Sequence, residues 1–284
     1  MKIRPPYTGL LAFLTVLFTM PLGHAAMILM EKGFGHRYIY HAALLLGFIG
    51  ILLLIWGIFL TDGNKATFLG LFGGLFVWTG WIEFAYVYYA HRYGVAPLVE
   101  HGEVVTKPEY LIMPSSVGFW AVAIMFYLFG TRSGCLFFNW IRKKLRLGGS
   151  QDITPAHRNA AMSTFMELIL ILWTFYLVLL FIYDKNFFGE KSVAAYLVAF
   201  GSLLWSAYLF MKLLKIPQMA YAIRYAVPTV IIFWNFVEIL GRWGMLREIW
   251  IEPWNYWKEL GIMALVFLML VIITLREQKK KKGS

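Results

Sequence analysis

Eight long stretches of the chain are apolar all round a helix rather than along one stripe: residues 8–30, 38–60, 66–90, 114–138, 160–182, 192–212, 219–241 and 259–275. Each comes close to the roughly 20 residues an α-helix needs to cross the hydrocarbon of a bilayer. A membrane barrel would instead show alternating segments of about ten residues, so strands are not expected to span. The pattern predicts an all-α integral membrane protein of eight transmembrane helices.

Composition agrees with that pattern. Hydrophobic residues make up 60% of the chain, aromatics 18% and charged residues only 14%, with a mean hydropathy of +0.66; soluble domains lie far from these values. The start, basic at Lys2 and Arg4 and then apolar, could be taken for a signal peptide. Its apolar run is longer than a usual signal core, so an uncleaved first helix is expected. A single cysteine, Cys135, excludes an internal disulfide and any cysteine-rich zinc site.

Charge sets the expected orientation. With both termini in the cytoplasm, 17 of the 26 lysines and arginines fall on that side, among them Arg142, Lys143, Lys144 and the lysines at 279–282, as the positive-inside rule requires. Nine carboxylates, including Glu31, Glu109, Glu190 and Glu248, then face outward, against Asp62, Asp152 and Glu277 inside. The net charge of +11 is read as a topology signal and an attraction to anionic lipid headgroups, which makes membrane lipids the expected partner and nucleic acid an unneeded one. A multi-pass protein of the plasma (inner) membrane is expected.

The basic connection at 141–159 divides one membrane domain into two four-helix halves, 1–147 and 148–284. The halves show a weak internal repeat. Trp81-Ile82-Glu83 lines up with Phe236-Val237-Glu238, and an Arg-aromatic-Gly triplet follows in each, Arg92-Tyr93-Gly94 and Arg242-Trp243-Gly244. A true duplication would make these parallel repeats, because each half has an even number of helices. Two segments on the outer side read as interfacial. Residues 242–260, rich in Trp and Tyr, suit an in-plane helix. In residues 91–114, Pro97, Gly102 and Pro108 forbid a long helix, and Ser115 and Ser116 are placed to cap the fourth span.

Within this apolar chain, Glu83, Glu167 and Glu238 each lie inside a spanning run. A charge at membrane depth costs a few kcal/mol or more unless it is paired or neutralised, so each marks a functional position. Helical spacing adds neighbours: Thr79, Glu83 and Tyr86 share one stripe, as do Asn235, Glu238 and Arg242, with Glu238 and Arg242 in the favourable order for an ion pair. Met20, His24 and Met27 form a third stripe, and Ser163, Glu167 and Thr174 a fourth on the inner side. Five of the six histidines, His24, His36, His41, His91 and His101, fall on the outer side.

Glu83, Glu238 and Glu167 are therefore the candidate catalytic or translocating groups, and Asn235, Tyr86, Thr79 and Arg242 the candidate substrate-binding ones. His24 and His91 with Glu83 and Glu238 form a candidate ligand set for copper, iron or zinc, the neighbouring thioethers favouring copper. No Walker loop, dinucleotide fingerprint or nucleophile elbow occurs, which argues against nucleotide energy within this chain. The expectation is a protein that binds or translocates a cation, a proton or a transition metal, with or without a coupled solute. A membrane-embedded metal or redox enzyme acting on a lipid-soluble substrate is the second reading, and a non-catalytic subunit docking partner membrane chains the third.

Overall fold

Helices form where the apolar runs place them, and their ends are set by local chemistry. A computed structural model describes residues 4–100, 103–130, 143–144 and 159–276. Cys135, His101, His157, most of the basic connection and the lysines at 279–282 lie outside the described residues.

Among the described residues, eight helices are long and apolar enough to cross a membrane: α1 (Tyr7–Gly35), α2 (Tyr38–Phe59), α3 (Gly63–Arg92), α4 (Pro108–Leu128), α5 (Ala160–Tyr183), α6 (Val193–Leu213), α7 (Met219–Arg242) and α8 (Trp257–Arg276). A bend at Gly35, whose φ of 58° favours glycine, separates α1 from α2. Asp62, Asn159 and Ser192 cap α3, α5 and α6, each side chain accepting an N–H of the first turn. Gly9 near the start of α1 lies against Leu213 at the end of α6, and the Asn64 amide at the start of α3 donates to the Thr274 carbonyl near the end of α8, so these helix ends share one side, here the terminal face. The opposite side is the hairpin face, named for the two-stranded ribbon β1 (Leu98–Glu100) and β2 (Glu103–Thr106).

In the outer segment that the prolines break, Leu98–Glu100 and Glu103–Thr106 pair as an antiparallel ribbon. Two expectations for the hairpin face need correction. The fourth span begins at Pro108, earlier than expected, because proline is well suited to the first turn of a helix, where no N–H is needed. Ser115 and Ser116 therefore sit inside it, bonding back to the Ile112 and Met113 carbonyls at 2.6 and 2.7 Å rather than capping a start. The aromatic segment after α7 is a series of turns, broken by Gly244 (φ 71°) and Pro253, and not an in-plane helix.

α7 is the pillar of the bundle. Its face of Ala222, Ile223, Ala226, Val227 and Val230 is fully buried against Ala12 and Val16 of α1, Leu71 of α3, Leu168 of α5 and Leu213 of α6. α1 packs on α7 and α3 on α5, so helices of both halves share this core. α2, α6 and α8 leave large apolar side chains exposed, including Leu45, Leu52, Leu197, Leu204, Leu265 and Leu268, as lipid-facing helices do.

Glycines let α2 and α3 touch backbone to backbone. A Cβ on Gly80 would lie 2.5 Å from the Ala43 carbonyl oxygen and 2.7 Å from the Gly47 nitrogen, and one on Gly50 would lie 2.7 Å from the Gly73 oxygen. Backbone atoms cannot swing aside. Gly80→Val is therefore expected to cost about 1–3 kcal/mol by overpacking, seen as a lower melting temperature in detergent by fluorescence-detected size exclusion.

The same stretch departs from α geometry. Residues Trp78–Glu83 form a π turn, in which the Phe84 N–H reaches back to the Thr79 carbonyl. One extra residue in a turn rotates everything after it by about 100°. Such turns recur at functional sites, and here it presents Glu83 to the bundle interior.

Candidate functional site

His24 of α1, Glu83 of α3, Tyr176 of α5 and Glu238 of α7 meet in the half of the bundle nearest the hairpin. Glu83 is 5% exposed. Its Oε1 accepts a 3.0 Å hydrogen bond from the Tyr176 hydroxyl, and the side chains of Trp78 and Thr79 on its own π turn also reach the carboxylate. Charge-assisted bonds of this kind are worth about 1.5–3 kcal/mol each and offset the loss of water. Tyr176 is held in place by the rings of Trp78 at 5.3 Å and Tyr110 at 6.2 Å between centroids.

The histidine has one nitrogen committed and one free to act. Nδ1 lies 2.9 Å from the Met20 carbonyl oxygen, which can only accept, so Nδ1 carries a hydrogen and donates it. Nε2 then faces the Tyr176 oxygen at 3.5 Å and Glu238 Oε1 at 3.8 Å. These separations are longer than a formed hydrogen bond. Glu238 Oε1 in turn accepts a 2.6 Å bond from the Trp234 indole one turn away, and Trp234 stacks over the imidazole with centroids 6.2 Å apart. An imidazole thus stands between two carboxylates, one reached through a tyrosine.

The expected Glu238–Arg242 pair does not form. Arg242 Nε donates instead to Glu190 Oε2 at 2.9 Å, and its Nη2 to Thr106 Oγ1 of β2 at 3.1 Å, with the guanidinium over the Tyr183 ring. Trp243 adds a 2.8 Å bond to the Glu190 carbonyl. Glu190 comes from the α5–α6 loop, a partner that spacing within one helix cannot reveal. Arg242 thus ties the end of α7 to the hairpin and to the α5–α6 loop.

Other predicted residues divide. Thr79 belongs to the Glu83 surroundings. Tyr86, three residues after Glu83, enters none of the hydrogen bonds around it. Asn235 is buried one turn below Glu238, and among the described residues its Nδ2 and the Tyr183 hydroxyl are buried without a hydrogen-bond partner. A buried polar atom left without a partner is a position that solvent or a ligand can complete. Glu167 is buried nine residues below Tyr176 on α5, about 13 Å toward the terminal face. In its stripe, Thr174 serves helix packing, accepting a 3.0 Å bond from Trp120 of α4.

The metal set is not assembled. His91 is exposed at the end of α3, eight residues and about 12 Å beyond Glu83. Among the described residues no three His, Cys, Asp or Glu side chains gather as ligands. Met20 and Met27 are buried in two different apolar clusters, Met27 against Phe84; they pack the core and lend no thioether pair to copper.

Several members escaped the sequence reading. Tyr176 is the one side chain with a polar tip between Phe175 and Ile182, a signal that its aromatic ring disguised. Glu109, buried in the first turn of α4, lies between Lys107 (3.9 Å) and the core, and Lys107 also meets Glu31 at 3.6 Å. Glu248, in the turns after α7, lies against Gly241, where a Cβ would collide with its carboxylate.

Burial, reinforced by the charge of Glu238 and opposed by His24 and Arg242, pushes the Glu248 carboxyl up to about 7. A raised folded value means that the neutral acid favours folding, a contribution complete below the ordinary carboxylate range and lost as pH rises through about 7. Glu248→Gln is therefore expected to leave the melting temperature unchanged near pH 5 and to raise it by roughly 2–4 °C at pH 8. A pH series of melts on both proteins reads this directly.

The two Arg-aromatic-Gly triplets end their helices alike. Gly94 and Gly244 have φ of 64° and 71°, and Val95 N–H bonds the Ala90 carbonyl as Met245 N–H bonds that of Leu240, the glycine-terminated cap of a Schellman motif. Compared with protein-family models, curated proteins and solved structures, the chain matches none.

Proposed function

We propose that this protein binds protons from the hairpin side and passes them toward the terminal side, with Glu83, Tyr176, His24 and Glu238 as the loading network. The observation that carries the reading is the placing of the Tyr176 oxygen 3.0 Å from Glu83 and 3.5 Å from His24 Nε2, with Glu238 at 3.8 Å on the imidazole's other flank. The bond changes balance. A proton taken by Glu238 moves to Nε2; the N–H then breaks as an O–H forms on Tyr176, while the original tyrosine O–H breaks and its proton joins Glu83. Nδ1–H stays on the Met20 carbonyl, which keeps the ring oriented throughout. Glu167 is the inner acceptor of this scheme. A solute moved together with the proton is compatible with it.

The hairpin face is taken as outward and both termini as cytoplasmic, in the plasma membrane, because that choice gathers the basic residues inside. Glu248, Glu109 and Glu31 then supply the acidic approach to the network. The parallel repeat fits the same reading, with Glu83 and Glu238 flanking one histidine from two halves, and the matching caps of α3 and α7 support it.

Proteoliposomes test the proposal. Under a potassium-diffusion potential, vesicles holding the protein should take up protons faster than protein-free vesicles, read with a trapped pH dye. Equal rates overturn it. A second reading, acid–base catalysis on a lipid-soluble substrate, draws on the apolar cavity beside Trp234; it requires turnover of such a molecule without proton flux.

A further inference from the structure

The wall of the site away from Glu83 is an apolar cavity of about 260 Å³ between α1, α7, the turns after α7, and α8. Leu17 and Pro21 of α1, Phe233, Trp234 and Val237 of α7 and Met263 of α8 line it. Arg247 is its single charged lining residue. That side chain is exposed, forms no ion pair among the described residues and lies over the Tyr256 ring at 5.3 Å.

We propose that this cavity holds an acyl chain of one anionic phospholipid whose phosphate rests on Arg247. Three features select that occupant. The cavity is smaller than the 300–1,000 Å³ usual for small-molecule pockets and almost wholly apolar, which suits part of a single chain and not a polar solute. A guanidinium left without a carboxylate offers the forked donors that match phosphate oxygens. Trp250, Trp254, Tyr256 and Trp257 surround that level of the chain, the aromatic girdle that forms where headgroups begin. Through Trp234, which donates to Glu238, the bound chain would touch the residue that orients one carboxylate of the site.

The proposal is independent of proton movement, because its readout is lipid retention. Native mass spectrometry of the purified full chain, exchanged with phosphatidylglycerol or phosphatidylcholine in detergent, should show one phosphatidylglycerol held per chain. Arg247→Gln should reduce the preference for phosphatidylglycerol several-fold. Val237→Phe, which fills the cavity, should release both lipids. Lys191→Gln, at a separate groove between α6 and α7, should change nothing. Arg247 is exposed, so its variant is expected to fold even if the cavity-filling one does not. Retention unaltered by Arg247→Gln, or lost equally in Lys191→Gln, overturns the assignment, as does the absence of any retained lipid. Glu83→Gln should keep the lipid, which separates failure of this inference from failure of the proton reading.

Discussion

Glu83→Gln is expected to bring proton uptake in proteoliposomes down to the protein-free level while the protein is still made and folded. The amide keeps the volume of the acid and still offers an oxygen to the Tyr176 hydroxyl at the same 3.0 Å position. What it cannot do is accept a proton. Loss of one proton-transfer group typically costs 10²–10⁴ in rate, and Glu83 is the terminus of the network on α3. Removing a buried acid also removes a desolvation cost, so the melting temperature should hold or rise. A drop in folded yield comparable to the loss of flux would reassign Glu83 to structure.

Tyr176→Phe is expected to slow uptake by about 10²-fold, again with the fold intact. The ring contacts with Trp78 and Tyr110 survive the change; only the hydroxyl bridging Glu83 and His24 is lost. Without it the imidazole and the Glu83 carboxylate have no shared atom, and direct transfer would need a side-chain movement. Flux equal to that of the unaltered protein would show that Tyr176 is only packing. Measured alongside Glu83→Gln and the double variant, the pair should be non-additive, since both changes interrupt one path.

The spans were legible because membrane insertion is decided by summed apolarity, a property of the sequence alone; seven of them begin or end within a few residues of where the apolar runs place them. α4 departs from its apolar run because a proline reads as a helix breaker from sequence, whereas Pro108 begins the helix. His24, Glu83 and Glu238 stand out in the sequence by depth and charge; the way Tyr176 joins them is tertiary geometry. The rest depended on tertiary geometry. The π turn at Trp78–Glu83 leaves no mark in residue spacing. Arg242 belongs to Glu190 and Thr106, 52 and 136 residues away, and the tempting partner four residues before it turns to Trp234 and His24. Tyr176 and Glu248 join the site from elements whose faces are decided only by packing around α7.

Infrared difference spectroscopy on the protein in proteoliposomes, stepped between acidic and alkaline pH, reads the protonated carboxyl groups themselves. A carboxyl C=O band absent from Glu83→Gln, and shifted in each of Tyr176→Phe, His24→Gln and Glu238→Gln, is the predicted result. A Glu83 band that is indifferent to His24 and Glu238 would mean that the two carboxylates do not share a proton network, and would contradict it.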